Sequence, residues 1–388
     1  MIMTEKIYYE DVRETEFTAT VLECRKEEKS GLYSVVLDRT AFFPEEGGQS
    51  ADQGILDGQE VQDVRIGEDT IFHLVKEEIS VGRKVTGKVD WDRRFDFMQQ
   101  HTGEHLLSGT VHRHFGFDNV GFHLSDRETT MDFNGSVSAE TLRDMEREVN
   151  EAIWKDLPVK IFYPDSSELE KLDYRSKLEL THDVRIVEIP GVDVCACCAP
   201  HVDSTGQIGM LKITNVQSYK GGVRLNIVCG KRALADYSEK EDSVAGISKL
   251  LSAKQNEVGD AVKKLMDKEK EDLLREGKLQ KEYLALQMSG LPDPAGTEDV
   301  ILFTGETDGN ALREAVNTLT GKFKGICAVF SGSEDAGYRF ALGSREKDCG
   351  ALSADLRKQG FKGGGSERFI QGSVQKTEKE IRKILIGS

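Results

Sequence analysis

Two histidines four residues apart, His101 and His105, stand in the run MQQHTGEHLLSG at 98–109. On a helix such positions lie one above the other on the same face, so the two imidazoles can grip one metal ion from one side. A second cluster, CACCAPH, follows at 195–201. Its Cys197 and His201 would complete a set of three nitrogens and one sulfur. That set suits zinc, which imidazole and thiolate bind tetrahedrally. Cys195 and Cys198 are rival sulfurs, and His112 falls on nearly the same helix face as the first pair. A metalloprotease helix needs a glutamate directly after its first histidine to act as base. Thr102 holds that place, and Glu104 precedes the second histidine instead.

These residues need elements to hold them. The spacing predicts one helix over 91–115, with Asp92 in its first turn and Phe95, Met98, Leu106 and Val111 set for packing. Before it, alternating stretches rich in β-formers at 17–24, 32–37 and 86–90 predict a small β-barrel over 1–90. The loop DRTAFFPEEGGQSADQG at 38–54 interrupts them, and its paired Gly47 and Gly48 permit close backbone approach or positive φ. After the helix, strand at 118–133, an amphipathic helix over 138–155 capped by Ser138, and strands at 160–162, 184–188, 208–216 and 223–228 predict an α+β domain over 91–232. Residues 233–290 are heavily charged with apolar positions at threes and fours. They predict a long helix or helical hairpin, a coiled-coil arm. Strands at 300–303, 325–330 and 338–342 alternate with helices at 310–319 and 351–358, an α/β layout with some parallel pairing over 291–388. Its conspicuous loop is GFKGGGSER at 360–368.

At 388 residues, with 38% hydrophobic and 31% charged side chains, the chain should hold several domains and no general disorder. It shows no membrane-spanning run and no signal-peptide core, and its seven cysteines do not form a disulfide framework; a reducing cytoplasmic location is expected. A net charge of −16 argues against nonspecific nucleic-acid binding over the whole surface. The charge is uneven, however. Residues 212–232 carry Lys212, Lys220, Arg224, Lys231 and Arg232 with no acidic side chain.

Together these stretches resemble the alanyl-tRNA editing family, the free-standing AlaX-type proteins that share their body with the editing region of alanyl-tRNA synthetase. The matching residues are DRTAFFPEEGGQSADQG at 38–54, MQQHTGEHLLSG at 98–109, CCAPHV at 197–202 with TGQIG at 205–209, and KGGVRLNIVCGKRA at 220–233. GFKGGGSERFIQGS at 360–373 resembles the DHH-associated domain that follows such editing domains. The sequence departs from the family's pattern at Cys198, Ala199 and Pro200, and carries Phe43 where a tyrosine is usual.

The resemblance implies a multidomain α+β protein: an N-terminal β-barrel, a zinc-binding editing domain, a helical arm and a C-terminal α/β DHH-associated domain. It implies Zn2+ on His101, His105, Cys197 and His201. It further implies hydrolysis of mischarged tRNA(Ala), chiefly Ser-tRNA(Ala) and also Gly-tRNA(Ala), with no aminoacylation. Gln49, Gly47 and Gly48 are the expected contacts to the acceptor end or seryl group, with the turn at 121–130 a second candidate. Arg224, Lys220, Lys362, Gly363, Gly364, Gly365 and Arg368 are expected to meet the tRNA, and the arm or last domain to pair two copies. The alternative is a noncatalytic RNA-binding protein stabilised by zinc. A DHH-type phosphoesterase is set aside, since His182-Asp183 stands alone.

Overall fold

The computed structural model describes residues 3–176, 184–293 and 298–387. His182 and Asp183 lie outside them. The chain divides into two compact units, 1–243 and 244–388. The architecture is multidomain α+β.

Apart from a short parallel pair, Glu5–Lys6 with Arg39–Thr40, the start of the first unit holds one sheet of seven strands: β1 (Glu16–Lys26), β2 (Tyr33–Leu37), β3 (Gly54–Leu56), β4 (Gln59–Val61), β5 (Asp63–Gly67), β6 (Thr70–Val75) and β7 (Lys84–Val89). Their order in the sheet is β4-β3-β7-β1-β2-β6-β5. The two ends of that order are one stretch of chain, parted only at Gln62, whose N–H donates to Leu74 O at 2.8 Å. The sheet therefore curls almost to closure. Alternation in β1 and β7 sends every second side chain inward, onto a core that includes Phe17, Val21, Leu37, Phe42, Leu56 and Val85.

His73 sits wholly inside this barrel. Its Nδ1 donates to Val35 O at 3.1 Å and its Nε2 takes the Thr40 hydroxyl at 2.8 Å. Burial lowers its pKa to about 4, against a smaller upward pull from the Val35 carbonyl. Folded His73 therefore stays neutral, while the unfolded chain takes up a proton below the ordinary imidazole pKa near 6.5. Stability is full above that pH and is lost as pH falls toward 4, by about 2 kcal/mol at pH 5. Urea midpoints at pH 7 and pH 5 should show this loss, and His73→Gln should flatten it.

Helix α1 (Trp91–Phe115) follows, capped by Asp90 accepting from Arg93 N and ended by Gly116 in the left-handed region. It is an unusual core helix, because its buried stretch is largely polar: Gln99, Gln100, His101, Thr102, Glu104, His105, Ser108 and Thr110. Such a helix survives burial only if each polar group finds a partner. Gln100 does so with both ends of its amide, on Cys229 N at 2.7 Å and Cys229 O at 3.0 Å.

Around α1 stand a sheet of order β8-β9-β14-β13, formed by β8 (Asn119–Leu124), β9 (Thr129–Phe133), β13 (Leu211–Tyr219) and β14 (Gly222–Cys229), and a three-stranded sheet of β10 (Lys160–Phe162), β11 (Ile186–Ile189) and β12 (Asp193–Ala196). Helix α2 (Ala139–Trp154), capped by Ser138 as expected, lays Leu142, Met145, Val149 and Ile153 on this second core.

Helix α3 (Gly230–Leu251) leads out of β14, and α4 (Val258–Ser289) follows after a break at 252–257. The expected arm is thus two helices. Many of its apolar side chains, among them Leu250, Leu265, Met266, Leu273 and Leu274, are exposed, so no coiled-coil packing covers them among the described residues.

The second unit also holds β15 (Val300–Thr304), α5 (Gly309–Lys322), β16 (Cys327–Ser333), β17 (Gly337–Gly343), α6 (Cys349–Lys358), β18 (Lys362–Gly365), β19 (Phe369–Val374) and α7 (Glu378–Ile386). The sheet order is β15-β16-β17-β19-β18, and only the β15–β16 pairing is parallel. One expectation is corrected here. The glycine run at 362–365 is not a loop but an edge strand, antiparallel to β19. Three consecutive glycines disfavour a strand, but pairing overrides propensity. At Gly363 and Gly365 a Cβ would lie 2.1 Å from a β19 carbonyl oxygen, so only glycine fits.

Candidate metal centre

The first unit brings His101, His105, Cys197 and His201 together, with one ligand atom from each lying within 4.8 Å of the others. The two helix histidines come from the middle of α1. Cys197 and His201 come from the loop that leaves β12. The ring centroids of the three histidines are 4.7–5.6 Å apart.

Each histidine is held from behind by an oxygen. Nδ1 of His101 donates to Gln49 Oε1 at 2.7 Å, Nδ1 of His105 to Asp193 Oδ2 at 2.9 Å, and Nδ1 of His201 to Thr102 Oγ1 at 3.0 Å. Thr102 spends its own hydrogen on Met98 O at 2.8 Å, so toward His201 it can only accept. With Nδ1 thus committed, Nε2 of His101 and of His201 face the Cys197 sulfur at 3.5 and 3.3 Å. Oxygen partners behind ligating histidines fix ring tautomer and orientation in metal sites.

Charge states fit the same purpose. Burial pushes the Cys197 thiol up, but His101 and His201 beside it outweigh this and hold it well below the usual thiol range. Burial lowers His201 to about 3, which keeps it neutral. His105 is held well above the ordinary imidazole range: burial opposes its charge, but Asp193 and Cys197 prevail. A metal at the set would displace that proton. The rival sulfurs differ. Burial pushes Cys195 up to about 11 and Cys198 higher still, so both remain thiols. The neutral imidazole, the thiolate and the spacing together fit zinc. His112 lies outside the set, 44% exposed and paired with Asp118 at 3.0 Å.

If the oxygen behind His201 matters to a metal, Thr102→Val should weaken zinc binding by about 10- to 100-fold while preserving side-chain shape. Competition with a chromophoric chelator measures this, and unchanged affinity would sink the argument.

The centre opens onto a cleft of about 1420 Å³ lined by His101, Glu104, His105, Cys197 and the backbone at Gly47 and Gly48. The glycine loop forms one lip by pairing with β8: Leu124 N donates to Gly48 O at 2.8 Å and Ser50 N to Leu124 O at 2.9 Å. Gly48 has φ +85°, and a Cβ there would meet Phe122 O at 2.4 Å. No larger residue allows that approach. Gly109 serves a similar end on α1, where a Cβ would lie 2.7 Å from Asp193 Cβ and push away the partner of His105.

Several residues singled out in the sequence sit elsewhere than expected. Gln49 is fully buried behind His101 and does not line the cleft. Its Nε2 has no hydrogen-bond partner among the described residues. The 121–130 stretch is a hairpin whose Phe122 ring packs 4.8 Å from His101. Arg224 is occupied, with its fork on Asp132 at 2.6 and 2.7 Å and its face over Tyr219. Two carboxylates drew no notice in the sequence: Asp193, which also takes Arg175 at 2.7 and 2.9 Å, and Asp52, bound to buried Arg94. Asp52 lies inside the glycine motif, and Asp193 just before the cysteine cluster, but a lone aspartate carries no spacing signal.

No helix of the described residues is long and apolar enough to cross a membrane, and the cysteines at 24, 195, 197, 198, 229, 327 and 349 are free.

Comparison with known proteins adds a second line. Residues 184–226 match the threonyl and alanyl tRNA synthetase second additional domain, and residues 3–93 match the tRNA synthetases class II (A) family. The Alanyl-tRNA editing protein AlaX-L of Pyrococcus horikoshii is 35% identical over 61% of this chain and 61% of its own length. The alanine–tRNA ligase of Methanopyrus kandleri is 32% identical over 95% of this chain and 42% of its own length, and that of Pyrobaculum neutrophilum 31% identical over 98% and 44%. The chain thus spans about half the length of the curated relatives it matches. A solved structure, the C-Ala domain from Aquifex aeolicus alanyl-tRNA synthetase, matches 25% of this chain and 100% of its own at 18% identity and a TM-score of 0.20, too slight a likeness to carry an argument.

Proposed function

This chain is a homologue of an alanyl-tRNA editing protein and of alanine–tRNA ligases, and from that premise we propose that it is an aminoacyl-tRNA deacylase that clears mischarged tRNA(Ala). The observation that carries the reading is the opening of the four-donor set onto the cleft: His101, His105 and Cys197 all line it. A metal with only a structural role has no need of such access.

The chemistry asked for is modest. An alanine-sized pocket rejects serine and glycine poorly, so a second, hydrolytic site supplies the missing discrimination. The substrate is an ester, already activated toward water. His101, His105, Cys197 and His201 would hold zinc, which supplies Lewis acidity toward a water or an ester oxygen. Around it the chain's own groups position the substrate. Gln49 fixes the His101 ring from behind. The backbone of Gly47 and Gly48 offers close approach to the acceptor end. In the same reading the helical arm and the DHH-associated residues 291–388, with Lys362 and Arg368, grip the tRNA body or pair two copies, and the protein works in the cytoplasm.

Four protein donors are also the number that structural zinc sites use, and this favours the noncatalytic RNA-binding alternative. Deacylation of Ser-tRNA(Ala), Gly-tRNA(Ala) and Ala-tRNA(Ala), assayed side by side with zinc-loaded protein, separates the two. Loss of the seryl ester with the alanyl ester spared is expected. A folded, zinc-loaded protein that spares all three esters would leave only the alternative.

A further inference from the structure

The cleft is larger than an aminoacyl group requires, and its lining shows what else it takes. Lys6, Arg175 and Arg185 are its three cationic side chains, against six carboxylates. Arg175 is already committed to Asp193. Lys6 is paired with Asp69 in the same way, and Glu5 and Asp118 with Arg39 and His112, so the lining offers a run of phosphates little free positive charge. A nucleic-acid end that enters it must be held by something other than charge.

Two tyrosines line the same cleft. Tyr163, the residue after β10, leaves 55% of its surface exposed. Tyr9 is held rigidly: its ring meets Tyr8 edge-on at 4.7 Å, and Tyr8 in turn meets Phe43 at 5.4 Å. The guanidinium of Arg185 stands 5.1 Å from the Tyr9 centroid. Arg185 also donates to Cys197 O at 2.7 Å and Ala199 O at 3.0 Å. The Tyr9–Arg185 stack is thereby fixed relative to the backbone that carries the candidate ligand sulfur. Aromatic rings and arginine planes are the surfaces on which single-stranded bases stack.

We propose that Tyr163, which lines the same cleft as the Tyr9–Arg185 stack, is a stacking platform for the base of the 3′-terminal nucleotide, and that one nucleoside, not a length of backbone, enters the cleft with its ester. This rests on the deacylase reading for the ester but not for the base. Losing the stacking of one base should cost roughly tenfold in affinity.

The test uses the full chain, wild type and with Tyr163→Ala or Tyr163→Phe. The probe is uncharged tRNA(Ala) carrying 2-aminopurine as its 3′-terminal base, whose fluorescence falls on stacking. Wild type and Tyr163→Phe should quench it, and Tyr163→Ala should not, with zinc content and thermal melting alike in all three. With Ser-tRNA(Ala), Tyr163→Ala should raise KM roughly tenfold and leave kcat within about twofold. Equal quenching by all three proteins, or an unchanged KM in Tyr163→Ala, overturns the platform. If wild type cleaves no ester but quenches the probe, the deacylase reading fails and the platform stands.

Discussion

His105→Ala should abolish hydrolysis of Ser-tRNA(Ala), lowering the rate at least about a hundredfold, because a bound metal supplies several kcal/mol of transition-state stabilisation and each 1.4 kcal/mol is a factor of ten. The same variant should lose zinc, read by metal analysis of the purified protein. The fold should persist, since α1 is anchored independently through Gln100 on Cys229 and Arg94 on Asp52. Cys197→Ala gives the companion measurement. It should behave like His105→Ala, whereas Cys195→Ala and Cys198→Ala should keep their zinc. Zinc fully retained in Cys197→Ala would refute the choice of sulfur. Unfolding in His105→Ala, seen as loss of the near-ultraviolet circular dichroism of the first unit, would instead favour the structural-zinc alternative.

The largest stability effect is expected at Asp52. Arg94 and Asp52 are both essentially inaccessible, and the guanidinium also donates to Val12 O at 3.1 Å and Ala41 O at 2.6 Å. Asp52 in turn accepts from Phe43 N at 2.7 Å. This cluster pins both ends of the glycine loop to the start of the metal helix. Removing one member of a buried pair leaves the other charge without compensation, a cost of about 3–5 kcal/mol. Asp52→Ala should therefore lower the melting temperature by on the order of 10 °C. The double variant Asp52→Leu, Arg94→Met should recover much of that loss, because two apolar groups leave no orphaned charge. A single variant as stable as wild type would show that the pair contributes little.

The cluster of four donors was legible in the sequence because its spacing is local. His101 and His105 are set by helical periodicity, and Cys197 and His201 by a short loop; the resemblance joined the two halves. The long helix was equally legible from its acidic first turn and apolar spacing. The groups behind the histidines were not. Gln49, Asp193 and Thr102 reach their partners across 52, 88 and 99 residues of chain, and no local pattern marks such a contact. The glycine run at 362–365 was misread for the opposite reason. Local propensity says loop, but β19 imposes a strand that only glycine can fill. Arg224 illustrates a limit of composition: five cations over 212–232 suggested a phosphate surface, but Lys212, Arg224, Lys231 and Arg232 each meet a carboxylate, on Glu146, Asp132, Asp92 and Asp96.

The oxygens behind the three histidines come from a loop between barrel strands, from α1 itself and from β12. Because these segments lie far apart in sequence, the site carries a high contact order, and chain-closure entropy must be met before any of its bonds forms. The barrel, the helix and the later strands must all dock before His101, His105 and His201 point the same way. Assembly of the candidate metal site is therefore expected to be a late event on the refolding path of the first unit, and a chain still being synthesised past residue 105 already holds two of the four donors without the means to aim them.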